Sequence, residues 1–542
     1  MSNLFLGLDC STQSLTGIII DSDSKKILYR NSIQYGEDLI FYRTKDGIIL
    51  DKDDQKVHSN PLMWLEALEI FFQEIVQSEV DVNDIKAISG SGQQHGTVYL
   101  NSSFNSKIEN LDPSKKLTSQ LKGSFSRQTS PIWMDSSTTR QCEEIREQLG
   151  GKEEVIRLTG SDTFERFSGP QIRKFYQEQP EAYKNTDKIH LVSSFMASLL
   201  LGDHAPIDYG DGAGMNLMDI EKREWSKEAL EVTAPNLQEK LPLLVPSYEI
   251  IGTLSKYFVE RYGLLSTTKL VAWSGDNPNS LIGIGLIQKG QFALSLGTSD
   301  TYFGYLKDLQ IDLKGEGHIF GAPTGDYMSL ICYKNASLAR EKIRAQFKLK
   351  WEDFSNILRS TPPGNFGKIM LPYFFPEIVP LVLEPHVYRF GFDESDLEGN
   401  IRAIIEAQFL SMRLHSDWIT ETPKEIFATG GASINREILQ VAADVFDAPI
   451  YRFEITDSAA LGAAFRAAYS YYNQQNFEME WMKLIEDFLE SQIIETIKPN
   501  LDNKELYDDM VELYKKCEDF AIRGANNPEQ DRQEFIHKYF AL

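Results

Sequence analysis

The chain has 542 residues, 42% hydrophobic and 25% charged, with 79 acidic against 55 basic side chains and a formal net charge of −24. That length calls for two large domains rather than one core, and the composition is that of an ordinary soluble globular protein. A surface this acidic repels polyphosphate backbones, which argues against nucleic acid as a partner but leaves room for a small anionic ligand held by local N–H donors.

The four cysteines, Cys10, Cys142, Cys332 and Cys517, form no C-x-x-C motif. Their scatter suggests neither zinc nor redox chemistry and fits a reducing compartment. The N-terminal stretch Met-Ser-Asn-Leu-Phe-Leu-Gly-Leu-Asp has no basic region and is cut by Asp9, so it does not read as a signal peptide. No apolar run reaches the length of a membrane span. The expected location is cytoplasmic, with no membrane partner.

Leu4–Leu8, Leu15–Ile20 and Ile27–Tyr35 are short apolar runs separated by Ser- and Asp-rich turns, which predicts an antiparallel meander. Ser59-Asn60-Pro61 opens a helix whose apolar face is Leu65, Leu68, Phe72 and Ile75. Ile85–Ser89 reads as a strand running into Gly90-Ser91-Gly92-Gln93-Gln94-His95-Gly96. Residues 101–130, rich in Ser, Lys and Asn, read as an inserted mobile surface loop. Lys188–Leu201 has a helical period ending at Gly202, and the glycine- and acid-rich 203–219 reads as a loop.

Ala272–Pro278 places Asp276 beside Asn277 on a tight loop between two apolar runs, with Pro278 expected to stop any helix. A carboxylate there, near the middle of a two-domain chain, suggests the catalytic base of a kinase with its cleft between domains. Gln291–Leu296 and Thr301–Tyr305 are then strands around Gly297-Thr298-Ser299. Glu425–Ala428 is a strand leading into Thr429-Gly430-Gly431, and Asn435 opens a helix with Ile438, Val441, Ala442 and Val445 on one face. An Ala-rich helix over Ser458–Tyr471 follows an Asp457/Ser458 cap. Beyond about residue 473 the chain is acidic and amphipathic, with Trp481, Ile485 and Phe488 at helical spacing.

Asp9-Cys10-Ser11-Thr12 and Ser295-Leu296-Gly297-Thr298 each end the first strand of one half. Each alone is a common turn; together they suggest a duplicated fold that grips one ligand from both sides. Small turns with free N–H groups can wrap phosphates. A carboxylate beside phosphates is repulsive unless a divalent cation mediates, so Asp9 implies Mg²⁺, through water. The G-x-x-x-x-G-K-[ST] phosphate loop is absent, and His95 interrupts a G-x-G-x-x-G pattern at 90–96. Gln93-Gln94-His95 suits sugar hydroxyls better than a dinucleotide. Gly430-Gly431 would let a flat ligand approach the backbone, although, taken alone, the pair is better explained as a plain strand-to-helix turn.

Asp9-Cys10-Ser11-Thr12-Gln13, Gly275-Asp276-Asn277, Leu296-Gly297-Thr298-Ser299 and Thr429-Gly430-Gly431-Ala432, in this order, resemble the FGGY carbohydrate kinases over roughly residues 4–470. Within that family the chain is most similar to the eukaryotic-type xylulokinases. The residues that carry this are Ser-Gly-Ser-Gly-Gln-Gln-His-Gly at 89–96, Trp133-Met134-Asp135-Ser136-Ser137, Phe164-Glu165-Arg166-Phe167, Ala-Thr-Gly-Gly-Ala-Ser at 428–433 and Asp-Ala-Pro at 447–449.

The resemblance implies an α/β fold of two actin-like (ribonuclease-H-like) domains with a cleft between them. The expected division is 1–278 for sugar, 279–472 for nucleotide, and 473–542 as an acidic helical tail on the second domain. It implies that His95, Arg166, Asp276 and Asn277 hold a ketose, with Asp276 as base. Ser11, Thr12, Gln13, Gly297, Thr298 and Ser299 would hold the ATP phosphates, and Asp9 the Mg²⁺. Trp351, Gly430, Gly431 and Asn435 would line the nucleotide pocket. The family's first turn usually reads Asp-x-Gly-Thr, and Ser11 stands here in place of Gly, which narrows the subfamily. The expected reaction is phosphorylation of D-xylulose by ATP, in a monomer or homodimer. A kinase for ribulose or glycerol, or an actin-like ATPase acting on a protein partner, is the alternative.

Overall fold

The computed structural model describes residues 3–53, 55–453, 457–490 and 492–540; the first two residues of the N-terminal stretch lie outside them. Strands β1 (Leu4–Cys10), β2 (Ser14–Asp21) and β3 (Lys26–Gln34) form the expected antiparallel meander. β1 is apolar over Leu4–Leu8 because it is covered on both faces: Leu6 and Leu8 belong to one core and Phe5 to another. Helix α1 (Pro61–Gln77) covers the first face. Asn60 caps it by accepting from the Leu62 N–H, and Pro61 occupies the first turn, where no N–H is needed. Leu65, Leu68, Phe72 and Ile75 are fully buried, and Phe71 lies directly over Gly17.

Strand β4 (Ile85–Gly92) returns parallel to β1, with Leu6 opposite Ile88 and Asp9 opposite Ser91. The two-residue strand Ser274–Gly275 continues this row by pairing Ser274 with Ser91 and Gly275 with Gly92. Helix α2 (Asp276–Gly283) follows at once. Central parallel strands therefore end side by side, the place where open α/β sheets bind ligands.

A second seven-stranded sheet repeats the plan of the first. Strands β5 (Gln291–Leu296) and β6 (Asp300–Leu306) form a hairpin, and β7 (Glu425–Thr429) lies parallel to β5. Helix α3 (Arg436–Phe446) then leads to a strand at Ile450–Phe453 parallel to β7. The Ala-rich helix α4 (Ser458–Gln474) comes late in the chain but packs on the first sheet, against β1, β4 and α2. Glycines set that closeness. A Cβ on Gly7 would meet the Ala460 carbonyl oxygen at 2.0 Å, one on Gly283 the Ser458 oxygen at 1.9 Å, and one on Gly462 the Asn279 oxygen at 1.9 Å.

Several local expectations are corrected. Residues 101–130 are not an exposed loop: helices at Ser103–Glu109 and Leu117–Leu121 bury Phe104, Ile108, Leu117 and Leu121 in the first core, and Phe125 after them joins the same core. Of Lys188–Leu201, the first four residues are a strand paired with Thr97–Leu100 and only Val192–Leu201 is helical, ending at left-handed Gly202. The 203–219 segment is mostly buried and carries Asp208 and Asp211 inward. Pro278 does not stop a helix; it sits in the first turn of α2, where the missing N–H has no carbonyl to lose. Asp457 precedes α4 in a left-handed conformation without capping it, and pairs with Arg30 instead.

The chain past 473 is built into the protein. Trp481 stacks on Tyr469 at 3.9 Å, and Leu484, Ile485 and Phe488 join the core that contains Phe5 and Ile18. The helix at Lys504–Arg523 buries Tyr507 and Tyr514 against the second core. The four cysteines are all free thiols. Among the described residues no helix is long and apolar enough to cross a membrane.

Candidate active site

Asp276 is the first residue of α2, immediately after the strand end at Gly275. Its Oδ1 accepts from its neighbour Asn277 twice, from the backbone N–H at 2.8 Å and from Nδ2 at 3.1 Å. Burial pushes its pKa up to about 6, against the pull of backbone N–H groups of Asn277 and Gln94. A carboxylate held at a helix start, with a proton affinity close to neutral, is suited to accept a proton in a reaction near pH 7. The Asn277 amide also donates to Gln94 Oε1 at 2.8 Å, which joins α2 to the loop after β4.

Asp9 lies in the same row of strand ends. Its Oδ1 is buried without a hydrogen-bond partner. Burial first, then the Asp276 charge, pushes its pKa up to about 7, while a hydrogen bond with Ser91 pulls the other way. An orphaned buried carboxylate oxygen facing a second carboxylate fits a cation. Among the described residues no group of three or more His, Cys, Asp or Glu side chains could hold a metal by itself. A cation at Asp9 would thus take its remaining ligands from water and phosphate, the usual habit of Mg²⁺.

His95 adopts a left-handed backbone, φ 72°, that turns its ring inward. Its Nδ1 lies 2.8 Å from the Gly214 carbonyl oxygen, which only accepts, so Nδ1 carries the proton and Nε2 is left as an acceptor. Burial, with the nearby Arg166 charge, pushes its pKa down to about 3, so the ring stays neutral. Arg166 lies over the rings of Phe164 and Phe167 and donates from Nη2 to His318 Nε2 at 3.2 Å. His318 is on the Gly317–Gly321 strand of the second sheet, so the first half's sugar-site candidates touch the second half here. Nothing local in the sequence marks His318. Because its Nε2 must accept, its Nδ1 carries the hydrogen, and that atom is buried without a partner. The Nε2 atoms of Gln93 and Gln94 are likewise buried and unpartnered. Unmet donors of this kind are what a polyhydroxylated ligand satisfies.

The first turn, Ser11–Gln13, joins β1 to β2. Ser11 bonds the Ser14 carbonyl through both N–H and Oγ at 3.0 Å. Thr12 Oγ1 donates to Gln93 Oε1 at 3.3 Å and accepts from Trp133 Nε1 at 2.8 Å, while Gln13 is exposed. The second turn, Gly297–Ser299, has Thr298 and Ser299 exposed above Asp300. Asp300 is fully buried and paired through both oxygens with Arg340, at 2.7 and 3.1 Å, so the turn stands on a rigid base.

A cavity of about 740 Å³ opens beside this second turn. Of the expected nucleotide residues, Gly297, Thr298, Trp351, Gly431 and Asn435 line it together. Trp351 is 43% exposed, with Arg344 over its ring at 5.6 Å. Asn435 caps α3 and donates from Nδ2 to Ser355 Oγ at 2.8 Å. The two glycines differ. Gly430 has φ 87° and a Cβ there would meet the Leu296 oxygen at 2.6 Å, so glycine is required. Gly431 has nothing within 4 Å of such a Cβ; its missing side chain simply leaves the cavity open. Arg359, Ile434 and Arg436 also line the cavity and carried no signal in the sequence.

Residues 128–283 match the model of the N-terminal domain of the FGGY family of carbohydrate kinases, and residues 293–471 that of its C-terminal domain. The chain is 46% identical to xylulose kinase 2 of Arabidopsis thaliana over 86% of its own length and 87% of the relative's. It is 44% identical to the xylulose kinase of Mus musculus over 85% of each. Among solved structures, a xyloylose kinase from Brucella ovis superposes with a TM-score of 0.80 at 20% identity, over 96% of this chain and all of that one. The structural likeness carries the fold: two actin-like (ribonuclease-H-like) domains.

Proposed function

The chain belongs to the FGGY family of carbohydrate kinases, and on that premise we propose that it transfers the γ-phosphoryl group of ATP to D-xylulose, giving D-xylulose 5-phosphate. The choice of ketose follows the relatives named xylulose kinase. The observation that carries the chemistry is Asp276: a half-buried carboxylate with its pKa pushed up to about 6, on a helix start among unmet sugar-type donors.

In this reading the ketose lies against His95, Arg166 and Asn277. His95 Nε2 accepts a hydroxyl, and Arg166 and the Gln94 amide donate to others. Asp276 accepts the proton of the primary hydroxyl as it attacks phosphorus. The turn at Gly297–Ser299 and, in its counterpart at Ser11–Gln13, the N–H groups of Thr12 and Gln13 orient the phosphates, and the cavity beside Trp351, Gly431 and Asn435 takes the nucleoside. Mg²⁺, bound at Asp9 through water, would supply charge neutralisation for the phosphates. Asp9 itself offers that place through its buried, unpartnered Oδ1. The same proposal divides the chain into sugar (1–278), nucleotide (279–472) and tail (473–542) regions, with α4 crossing back onto the first sheet.

The test is ADP release by the purified protein with ATP and Mg²⁺, alone and with D-xylulose, ribulose, fructose or glycerol. Stimulation greatest with D-xylulose supports the proposal. A stronger response to ribulose or glycerol moves the substrate, and sugar-independent turnover would favour an ATPase.

A further inference from the structure

Arg466, in the middle of α4, is 0% exposed and forms no ion pair among the described residues. A buried guanidinium without a bonded carboxylate is costly to keep. Its donors go to four acceptors: the carbonyls of Gly90, Ser247 and Ala272, and Asn279 Oδ1 at 2.9 Å. All but Ser247 lie on segments that lead into the site. Gly90 lies in β4, which runs on to Gln94 and His95. Ala272 precedes the Ser274–Gly275 strand, and Asn279 lies in α2, whose first residue is Asp276. Asn279 completes the relay, because its Nδ2 donates to the Gly275 carbonyl at 2.9 Å, just before Asp276.

The close approach that brings Arg466 here is built in. Gly462 and Gly283 let α4 and α2 touch backbone to backbone, and only that contact puts a side chain one turn further along α4 behind the base. The guanidinium thus grips the Asp276 segment from both ends, before it through Ala272 and after it through Asn279. A planar fork with five donors is suited to hold several carbonyls at fixed angles, which a point charge is not.

We infer that Arg466 is a positioning residue: with Asn279 as intermediary, it sets the place of Asp276 relative to the sugar hydroxyl and the γ-phosphate. The inference rests on Asp276 being the base. Arg466 touches neither substrate, and its effect runs through the backbone at Ala272 and Gly275.

The full-length wild type and the variants Arg466→Met, Arg466→Lys, Asn279→Ala and Asp276→Ala are compared for ADP release with the best acceptor of the panel above. Circular dichroism and melting identify the variants that fold. Arg466→Met is expected to lower kcat by about 10- to 100-fold, the scale of a displaced catalytic group. KM for ATP and for sugar should stay within about twofold, since the loss falls on the transition state. Arg466→Lys should recover part of kcat, and Asn279→Ala should reproduce the kcat loss. A folded Arg466→Met with wild-type kcat, or with KM for ATP raised at unchanged kcat, overturns the inference. If Arg466→Met does not fold, Asn279→Ala decides: lowered kcat at unchanged KM supports the relay, and wild-type kcat removes it. Asp276→Ala separates the two readings. If it retains turnover, the base assignment falls and the inference with it. If it is inactive while Arg466→Met and Asn279→Ala run at the wild-type rate, only the inference falls.

Discussion

The Asn277 amide donates to the Gln94 side-chain oxygen at 2.8 Å, joining residues 183 positions apart. The same amide reaches Asp276 Oδ1 at 3.1 Å. One side chain therefore ties the start of α2 to the loop that carries His95.

Replacing Asp276 by Asn separates catalysis from folding. Turnover should drop by roughly 10²–10⁴-fold. Stability should change in the opposite direction. The folded-state pKa is raised from 3.8 to about 6, so ionising Asp276 costs stability as pH rises through that interval. Asp276→Asn should then melt higher than wild type at pH 7–8, with the gain vanishing near pH 4. A variant that melts lower at neutral pH contradicts the burial argument. For the wild type, kcat/KM for the ketose should fall with acid as Asp276 takes up its proton near pH 6.

His318 tests the contact between halves. Its Nε2 accepts from Arg166, so His318→Leu leaves the guanidinium without its acceptor. KM for the ketose should rise by about 10-fold, the value of one charge-assisted hydrogen bond, and KM for ATP should hold. Equal effects on both would place His318 in general folding instead.

Gly462→Ala inserts a methyl group at 1.9 Å from the Asn279 carbonyl oxygen. The atom in the way is backbone, so α4 and α2 must part. A loss of about 1–3 kcal/mol is expected in chemical denaturation. Because α2 begins with Asp276, kcat should fall with it. An unchanged midpoint of unfolding would show that the helices can separate freely.

His415 holds the region past residue 473 to the second core. Its ring lies between Glu316 Oε2 at 2.8 Å and Glu518 Oε2 at 3.1 Å. Burial alone would lower its pKa, but the hydrogen bonds to these carboxylates prevail and push it up to about 9. The stabilisation is complete below pH 6.5 and is lost as pH rises through about 9. His415→Ala leaves two facing carboxylates and should cost about 3 kcal/mol at pH 6. The difference from wild type should shrink by pH 10, as followed by melting temperature across pH.

Parts of this were legible along the chain because they are local. The meander follows from alternating turns and apolar runs, α1 from its Asn60-Pro61 start, and the Gly430 turn from a glycine whose φ of 87° suits no other residue. The misread segments failed for one reason. Residues 101–130 are polar on average, yet Phe104, Ile108, Leu117, Leu121 and Phe125 each fill a place in a core made by distant residues. Pro278 reads as a helix stop only if the position of the helix start is unknown.

By itself, the order of residues determined the two repeated hairpin turns, the carboxylate Asp9 past the first strand, the carboxylate Asp276 between two apolar runs, and the family, because short-range spacing encodes each. Tertiary structure alone decided that His318 from the second sheet meets Arg166, and that α4 leaves its own half to bury Arg466 behind Asp276. Such contacts join residues far apart in sequence. They depend on which surfaces fit at backbone distance, as Gly283 and Gly462 do, and no local pattern carries that.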